Sequence, residues 1–249
     1  MKYIHSSKNP RVKNWKKLHM RKMREKTGTF LVEGFHLVEE ALKAGYVLEL
    51  IVAENVDLPP GMDYGDIPVT AVSEEAARTL ADTETPQGIF AVCQIPRDQK
   101  YPDGKKYLLI DSVQDPGNLG TLIRTADACG VDAIVAGRGC VDIYNGKVVR
   151  SAQGSHFHLP VVSGNLFEWV KFLKEKGIPV FGTALENGVE FRSVPPQDAF
   201  ALIVGNEGSG VNRDLLKETD KNLYIPIIGK SESLNVAVAA GILLYYLST

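Results

Sequence analysis

Residues 107–124 read YLLIDSVQDPGNLGTLIR and join a short apolar run to a helical pattern through a turn. The first four residues are typical of a buried strand, and a Pro-Gly pair marks the turn that follows. Asn118 is predicted to cap the helix Leu119–Cys129. This strand–turn–helix unit indicates an α/β fold in which polar side chains gather where a strand ends.

The rest of the C-terminal half repeats this alternation. Strands are predicted at 107–110, 133–136, 158–162, 179–183, 199–204 and 223–225, and helices at 119–129, 166–176, 213–218 and 234–247. Strands that alternate with helices predict a mostly parallel sheet, with ligands bound at the carboxyl ends of its strands.

The N-terminal part predicts a second, smaller α/β unit. Its predicted elements are a basic amphipathic helix from Asn9 to Lys26, strands at 29–33, 47–53 and 88–94, and helices at 35–42 and from Ser73 onward. A polar stretch with two prolines follows. We therefore predict a domain at 1–97, a linker at 98–105 and a second domain at 106–249.

The charge of the chain is unevenly distributed. The net charge of −2 and pI of 6.2 hide ten Lys/Arg and one acid within residues 1–30, against eighteen and twenty-nine in the remainder. Residues 1–30, which we call the basic head, precede an acidic remainder. Such an uneven distribution indicates an anionic partner, although a solvated surface helix is the alternative. An exposed Trp15 could stack on a base, but core packing is the stronger expectation. The candidate basic residues are Lys8, Arg11, Lys13, Lys16, Lys17, Arg21, Lys22 and Arg24.

Several other protein classes are excluded. The longest apolar run, 236–247, is too short to span a bilayer, and no apolar segment of a secretory signal follows the basic N-terminus. The three cysteines are far apart and form no CxxC pair, which argues against a disulfide framework and a metal motif. We expect a cytoplasmic protein without a membrane or metal partner.

A second glycine-rich segment, residues 204–210 (VGNEGSG), follows the predicted strand at 199–204. It lacks the GxGxxG and GxxxxGK patterns of nucleotide loops. Glu207 favours a ligand that bears a cation or hydroxyls, because a carboxylate repels phosphate. An ordinary glycine-rich turn is the alternative.

The third segment, residues 225–235 (IPIIGKSESLN), leads into the apolar helix. Ser233 is predicted as its N-cap, and Asn235 is then either satisfied locally or engaged with a ligand. In the first segment, Arg124 lies six residues after Asn118 and therefore about 240° further round the helix. It is predicted to point to a partner element or another subunit, although a plain surface arginine is the alternative.

Taken together, the three segments resemble the motifs of the SpoU (TrmH-type) family of RNA ribose 2′-O-methyltransferases, in the same order and at similar spacing. The resemblance covers residues 106–249. The segments FLVEG at 30–34 and TPQGIF at 85–90 are similar to the family's N-terminal L30e-like substrate-binding module. The resemblance implies a SPOUT domain with a parallel sheet and a deep trefoil knot, S-adenosylmethionine as cofactor, and a homodimer formed through the C-terminal domain.

The resemblance also assigns roles to residues. The catalytic positions fall on Asn118, Arg124, Glu207, Ser233 and Asn235, and main-chain contacts to the cofactor fall on Gly205, Ile225 and Leu234. A guanidinium stays protonated at neutral pH, so we expect Arg124 to act as a cationic clamp and not as a base. The basic head would bind RNA phosphates, with Lys8, Arg11, Lys13, Lys16, Lys17 and Arg21 as contacts.

Alternative functions remain open at this point. The separate N-terminal domain favours rRNA over tRNA as the substrate. A non-catalytic RNA-binding or ribosome-assembly factor of the same fold would not need all five catalytic positions. A nucleotide-dependent oxidoreductase is disfavoured because GxGxxG is missing after the first strand of the second unit.

Overall fold

The computed structural model describes residues 2–96 and 101–249, which form two compact units. The first unit combines the described residues up to Pro96 with Tyr144–Phe157, and the second holds the remainder. The segment Tyr144–Phe157 was predicted within the second domain. Of the predicted linker, residues 98–100 lie outside the described part, and the domain boundaries stay a prediction.

The elements up to Gln94 belong to the first unit. They are β1 (Lys2–Ile4), α1 (Pro10–Lys17), α2 (Arg21–Thr27), β2 (Thr29–Glu33), α3 (Phe35–Lys43), β3 (Val47–Ala53), β4 (Val69–Val72), α4 (Glu74–Leu80) and β5 (Ile89–Gln94). They build a mixed five-stranded sheet in the order β1-β4-β3-β5-β2, in which β5 runs antiparallel to both of its neighbours. Strands β1 and β4 were not predicted.

The remaining elements begin at Lys106. They are β6 (Lys106–Ile110), α5 (Pro116–Ala128), β7 (Ala133–Gly137), α6 (Gly146–Ala152), β8 (Val161–Gly164), α7 (Leu166–Glu175), β9 (Val180–Thr183), β10 (Val189–Glu190), β11 (Phe200–Val204), α8 (Arg213–Lys217), β12 (Lys221–Tyr224) and α9 (Val236–Ser248). All strand pairs of the second sheet are parallel, in the order β10-β12-β9-β11-β6-β7-β8. The predicted parallel sheet is confirmed, and the knot stays a prediction.

The basic head differs from the prediction of one helix between Asn9 and Lys26. It forms two helices, α1 and α2, because the chain leaves helical geometry between Leu18 and Met20. The buried guanidinium of Arg24 donates to the Leu18 carbonyl over 2.7 Å. In a continuous helix, that carbonyl would instead accept from a backbone N–H one turn further on. Trp15 is buried, so the expectation of core packing is confirmed.

Two helix caps also differ from prediction. Asp115, and not Asn118, caps α5, because Pro116 occupies the first helical position, where a missing N–H costs nothing. Asn235, and not Ser233, caps α9 by accepting from the Ala237 N–H over 2.9 Å. Asn118 therefore lies within the first turn of α5.

The segment Tyr144–Phe157 leaves the second sheet after β7 and completes the core of the first unit. Val149 and Phe157 are buried there with Phe30 of β2 and with side chains of α3 and β5. The ring centroid of Phe30 lies 4.8 Å from that of Tyr144. The sequence could not reveal that this segment belongs to the first unit, because the domains were predicted as continuous stretches and the contacts join positions more than a hundred residues apart.

Candidate functional site

The site forms where β6 and β11 end. These strands are parallel neighbours, with Ile110 in register with Val204, so the turn after β6 and the glycine-rich loop after β11 emerge side by side. The Asn206 side chain donates to the Ser112 carbonyl over 2.8 Å, and the Asp111 carboxylate accepts from the Asn212 N–H over 2.7 Å. The carboxyl edge of the sheet therefore unites the first two motifs, as expected for an open α/β fold.

Asn118, Glu207 and Asn235 form a hydrogen-bonded group that we call the amide–carboxylate cluster. Asn118 Nδ2 donates to the Glu207 carboxylate over 3.0 Å. Asn118 Oδ1 accepts from Asn235 Nδ2 over 2.9 Å. One residue from each of the three motifs thus contacts the next, although they lie up to 117 positions apart.

The Glu207 carboxylate lies at the N-terminal end of α5. It accepts from the backbone N–H groups of Gln114 and Asp115 over 3.4 and 3.2 Å. Partial burial acts to raise the pKa of Glu207, but the hydrogen bonds from Asn118 and the backbone outweigh it, and the net pKa is lowered. Glu207 is therefore ionised at neutral pH and suited to orient amides or hydroxyls.

Gly205 begins a loop that folds back on itself. Asn206 and Gly210 exchange two backbone hydrogen bonds of 3.0 Å each. A Cβ on Gly205 would lie 2.2 Å from the backbone of Gly210 and Val211, so only glycine fits. Gly205, one of the glycines predicted to permit close backbone approach to a ligand, has this role within the chain itself.

The segment between β12 and α9 has an open backbone. In the described part of the chain, the main-chain N–H groups of residues 227–234 donate no hydrogen bond to another residue. Ile225 is half-buried and Leu234 is 37% exposed. This segment could therefore hold a nucleoside cofactor by main-chain contacts, as the positions predicted at Ile225 and Leu234 require; the third predicted position, Gly205, lies in the loop after β11.

The structure does not bring Arg124 and Ser233 into the cluster. Arg124 is exposed on α5, and no ion pair to it is found among residues 2–96 and 101–249. Ser233 is exposed, and its carbonyl accepts from Ser231 Oγ over 2.9 Å. Helix α5 packs beside α9, where a Cβ on Gly241 would lie 3.3 Å from the Thr125 methyl.

The basic residues of the head fall into two groups. The arginines bind within the chain: Arg11 pairs with Glu49 and lies 5.0 Å over the Trp15 ring, Arg21 pairs with Glu25, and Arg24 is buried. Arg24 therefore does not belong to the exposed basic surface. The lysines are exposed, and the described residues offer them no ion pair; they are Lys8, Lys13, Lys16, Lys17 and Lys22.

Sequence reasoning missed Asn206, which bridges the two motifs. The signal available was an amide inside a glycine-rich loop, a residue that often closes turns. Within residues 2–96 and 101–249, no three side chains of His, Cys, Asp or Glu are grouped so that they could hold a metal ion. Within the same residues, no helix is long and apolar enough to cross a membrane.

Comparison with known proteins gives two family matches. Residues 105–245 match the SpoU rRNA Methylase family, and residues 9–91 match an MRM3-like substrate binding domain. The chain is 56% identical to the 23S rRNA (guanosine(2553)-2′-O)-methyltransferase RlmP of Bacillus subtilis, over 99% of both chains.

Solved structures agree with these matches. An AdoMet-bound rRNA methyltransferase from Sinorhizobium meliloti is 30% identical over 99% of this chain and 97% of its own, with a TM-score of 0.89. A TrmH/SpoU tRNA modifying enzyme from A. aeolicus is 28% identical over 59% of this chain and 75% of its own, with a TM-score of 0.52. The methyltransferase class predicted from the three motifs is confirmed: the chain belongs to the SpoU rRNA methylase family.

Proposed function

We propose that this protein transfers a methyl group from S-adenosylmethionine to the ribose 2′-hydroxyl of one guanosine in 23S rRNA. The observation that carries the proposal is the 56% identity to RlmP, which extends over both units. The tRNA-modifying relative from A. aeolicus covers only 59% of the chain, which favours rRNA over tRNA.

The second unit would hold the cofactor and the target ribose. S-adenosylmethionine supplies a methyl group on a positively charged sulfonium. Gly205, Ile225 and Leu234 would hold it through main-chain groups. Leu234 belongs to the segment 227–234, whose backbone N–H groups donate no hydrogen bond within the described chain. The amide–carboxylate cluster would fix hydrogen-bonding groups at the edge of this site, since its members already hold one another in place.

Arg124 would act on the charge that develops at the 2′-oxygen. A guanidinium is a poor base but a strong partner for phosphate and alkoxide oxygens. Its exposure on α5, without an ion pair in the described part of the chain, leaves it available for the RNA. Ser233, on the exposed segment before α9, would contact the substrate or order that segment.

The first unit would bind the RNA backbone. The exposed lysines of α1 and α2 supply positive charge that the described acids do not neutralise. Contacts of this kind position an RNA and depend on salt, but they read little sequence. The choice of guanosine would then come from the shape of the RNA and from the second unit.

A homodimer through the second unit is also proposed. Three exposed apolar side chains follow one face of α9, namely Val238, Ile242 and Tyr245, and Leu234 is exposed just before the helix begins. Such a stripe is typical of a protein interface. A partner seated there would lie beside α5 and therefore close to Arg124. Sedimentation should show a dimer, and Ile242→Asp should shift it toward the monomer.

The function is tested with purified protein, S-adenosylmethionine and unmodified 23S rRNA. We expect one new 2′-O-methyl group at the guanosine equivalent to the RlmP target. Its position is mapped by primer extension at low nucleotide concentration. The matched control is RNA with a 2′-deoxyguanosine at that position, which should accept no methyl group. Methylation of tRNA alone, or S-adenosylmethionine binding without transfer to any RNA, would overturn the proposal in favour of the two alternatives.

A further inference from the structure

We infer that Asn206 is a positioning residue for the methyl transfer. Its side-chain N–H₂ group holds the Glu207 carboxylate in the position where that carboxylate accepts from Asn118. This inference rests on the proposed function and deepens it. It gives Asn206 a role in orienting the amide–carboxylate cluster that is distinct from its role in shaping the glycine-rich loop.

The two ends of the Asn206 amide make different contacts. The oxygen Oδ1 accepts from the N–H groups of Gly208 and Ser209 over 2.9 and 3.1 Å, and from Ser209 Oγ over 3.2 Å. These bonds lie within the glycine-rich loop and stabilise its turn. The acceptor end therefore shapes the loop.

The donor end leaves the loop. Nδ2 donates to the Ser112 carbonyl over 2.8 Å and to Glu207 Oε2 over 3.3 Å. Ser112 has a φ of 58°, a left-handed value that is unusual for a residue other than glycine. The bond from Asn206 Nδ2 to its carbonyl therefore stabilises an unfavourable backbone conformation. One amide group thus ties the turn after β6 to the carboxylate that Asn118 contacts.

The division between the two ends predicts separable effects. Losing the donor should remove one of the hydrogen bonds that Glu207 Oε2 accepts and the bond to the Ser112 carbonyl, while the loop keeps its turn. Cofactor affinity depends on the loop backbone, and turnover depends on the cluster. A merely structural residue would weaken both together.

Asn206→Asp is the decisive variant, because it keeps the acceptor oxygen and replaces the donor by a second carboxylate. We expect kcat to fall more than tenfold at pH 8, while the Kd for S-adenosylmethionine changes less than threefold. Asn206→Ser should show the same pattern, because its hydroxyl can accept within the turn but is too short to reach Ser112.

The matched control is Asn212→Asp. Asn212 is exposed and caps α8, and its side chain serves there as an acceptor from the Asp214 and Leu215 N–H groups. Aspartate caps helices as well as asparagine does. This variant adds the same charge just after the glycine-rich loop and keeps the oxygen that accepts both capping bonds. Its kcat should stay within twofold of wild type.

The pH dependence provides a second readout. In Asn206→Asp, the new carboxylate faces Glu207, so one of the two takes up a proton more readily and regains a donor. The ratio of variant to wild-type kcat should therefore rise as the pH falls from 8 to 6. The other titratable groups facing this site are Asp111, Asp115 and Cys140, and they are unchanged in both proteins.

The inference is overturned if Asn206→Asp turns over as fast as Asn212→Asp. It is also overturned if S-adenosylmethionine affinity falls as much as kcat, since Asn206 would then serve the loop alone. Failure of the proposed function is a separate result, visible as wild-type protein that leaves 23S rRNA unmethylated. The kcat ratios are then measured on the RNA that the wild-type protein does methylate.

Discussion

In the amide–carboxylate cluster, three side chains from distant segments hold one another within 3.0 Å. On α1 and α2, by contrast, the exposed lysines have no acid partner among the described residues. The cluster is fixed before any ligand arrives, so losing one member should disturb the others. The lysines act through summed charge, so each should contribute separately and modestly.

The largest expected effect is at Arg124, which belongs to the second unit but lies outside the cluster. Under the proposed function, Arg124→Ala should lower kcat by about 10²–10³-fold, because it would remove the charge proposed to stabilise the developing alkoxide. Arg124→Lys should lose most of the turnover as well, since an ammonium lacks the planar pair of donors. Calorimetry should show unchanged S-adenosylmethionine binding in both variants. Near-wild-type turnover in Arg124→Ala would remove this residue from the mechanism.

Glu207→Gln tests whether the cluster acts as a unit. We expect kcat to fall by about 10–100-fold, the usual range for losing one charged hydrogen-bond partner. A double variant with Asn118→Ala should lose less than the product of the two single losses. Strictly multiplicative losses would show that the two residues act independently and would weaken the contrast with the lysines.

The lowered pKa of Glu207 also predicts a change in stability with pH. A carboxyl whose pKa is lower in the folded state contributes stability above its unfolded pKa and loses it as the pH falls through the folded value. Glu207→Gln should therefore flatten the acid side of the unfolding free energy between about pH 5 and pH 3. Denaturant titrations of both proteins at several pH values measure this, and parallel curves would argue against the shift.

A smaller effect is expected in the basic head. Replacing Lys16 and Lys17 by alanine should weaken RNA binding about three- to tenfold and reduce the slope of log K against log salt by about 1 per lysine. S-adenosylmethionine affinity should be unaffected. Substitution is a better test than removal of residues 1–26, because Val12, Trp15 and Leu18 belong to the core.

The smallest effect on RNA binding is expected for Arg11→Ala. This guanidinium already pairs with Glu49 and packs on Trp15. The salt dependence of RNA binding should stay at the wild-type slope, while the unfolding free energy falls by about 0.5–1 kcal/mol. If the slope instead drops as much as for a lysine, Arg11 binds RNA as the sequence predicted, and its ion pair opens on binding.

The accuracy of sequence reasoning differed between the two regions. The resemblance to the SpoU family implied that Asn118, Glu207 and Asn235 belong to one site, and the structure joins them by hydrogen bonds. The caps were wrong, because whether Asp115 or Asn118 begins a helix depends on where Pro116 is placed in the turn. In the head, composition predicted a basic helix, but it could not show that Arg24 turns inward to bond Leu18.

The sequence by itself predicted the family and the parallel sheet, and both are confirmed, because strand and helix periodicities and short motifs are local. Its assignment of catalytic and cofactor residues stays a prediction. Only the tertiary structure decided which of these residues contact one another. It also decided that Asn206 links the two motifs and that Tyr144–Phe157 completes the core of the first unit. Such contacts join positions separated by about a hundred residues, and their geometry depends on how the strands are ordered in the sheet. The same holds for the charge of the chain. The sequence places the excess positive charge within residues 1–30, but only the packing shows that the arginines there are buried or paired while the lysines are exposed.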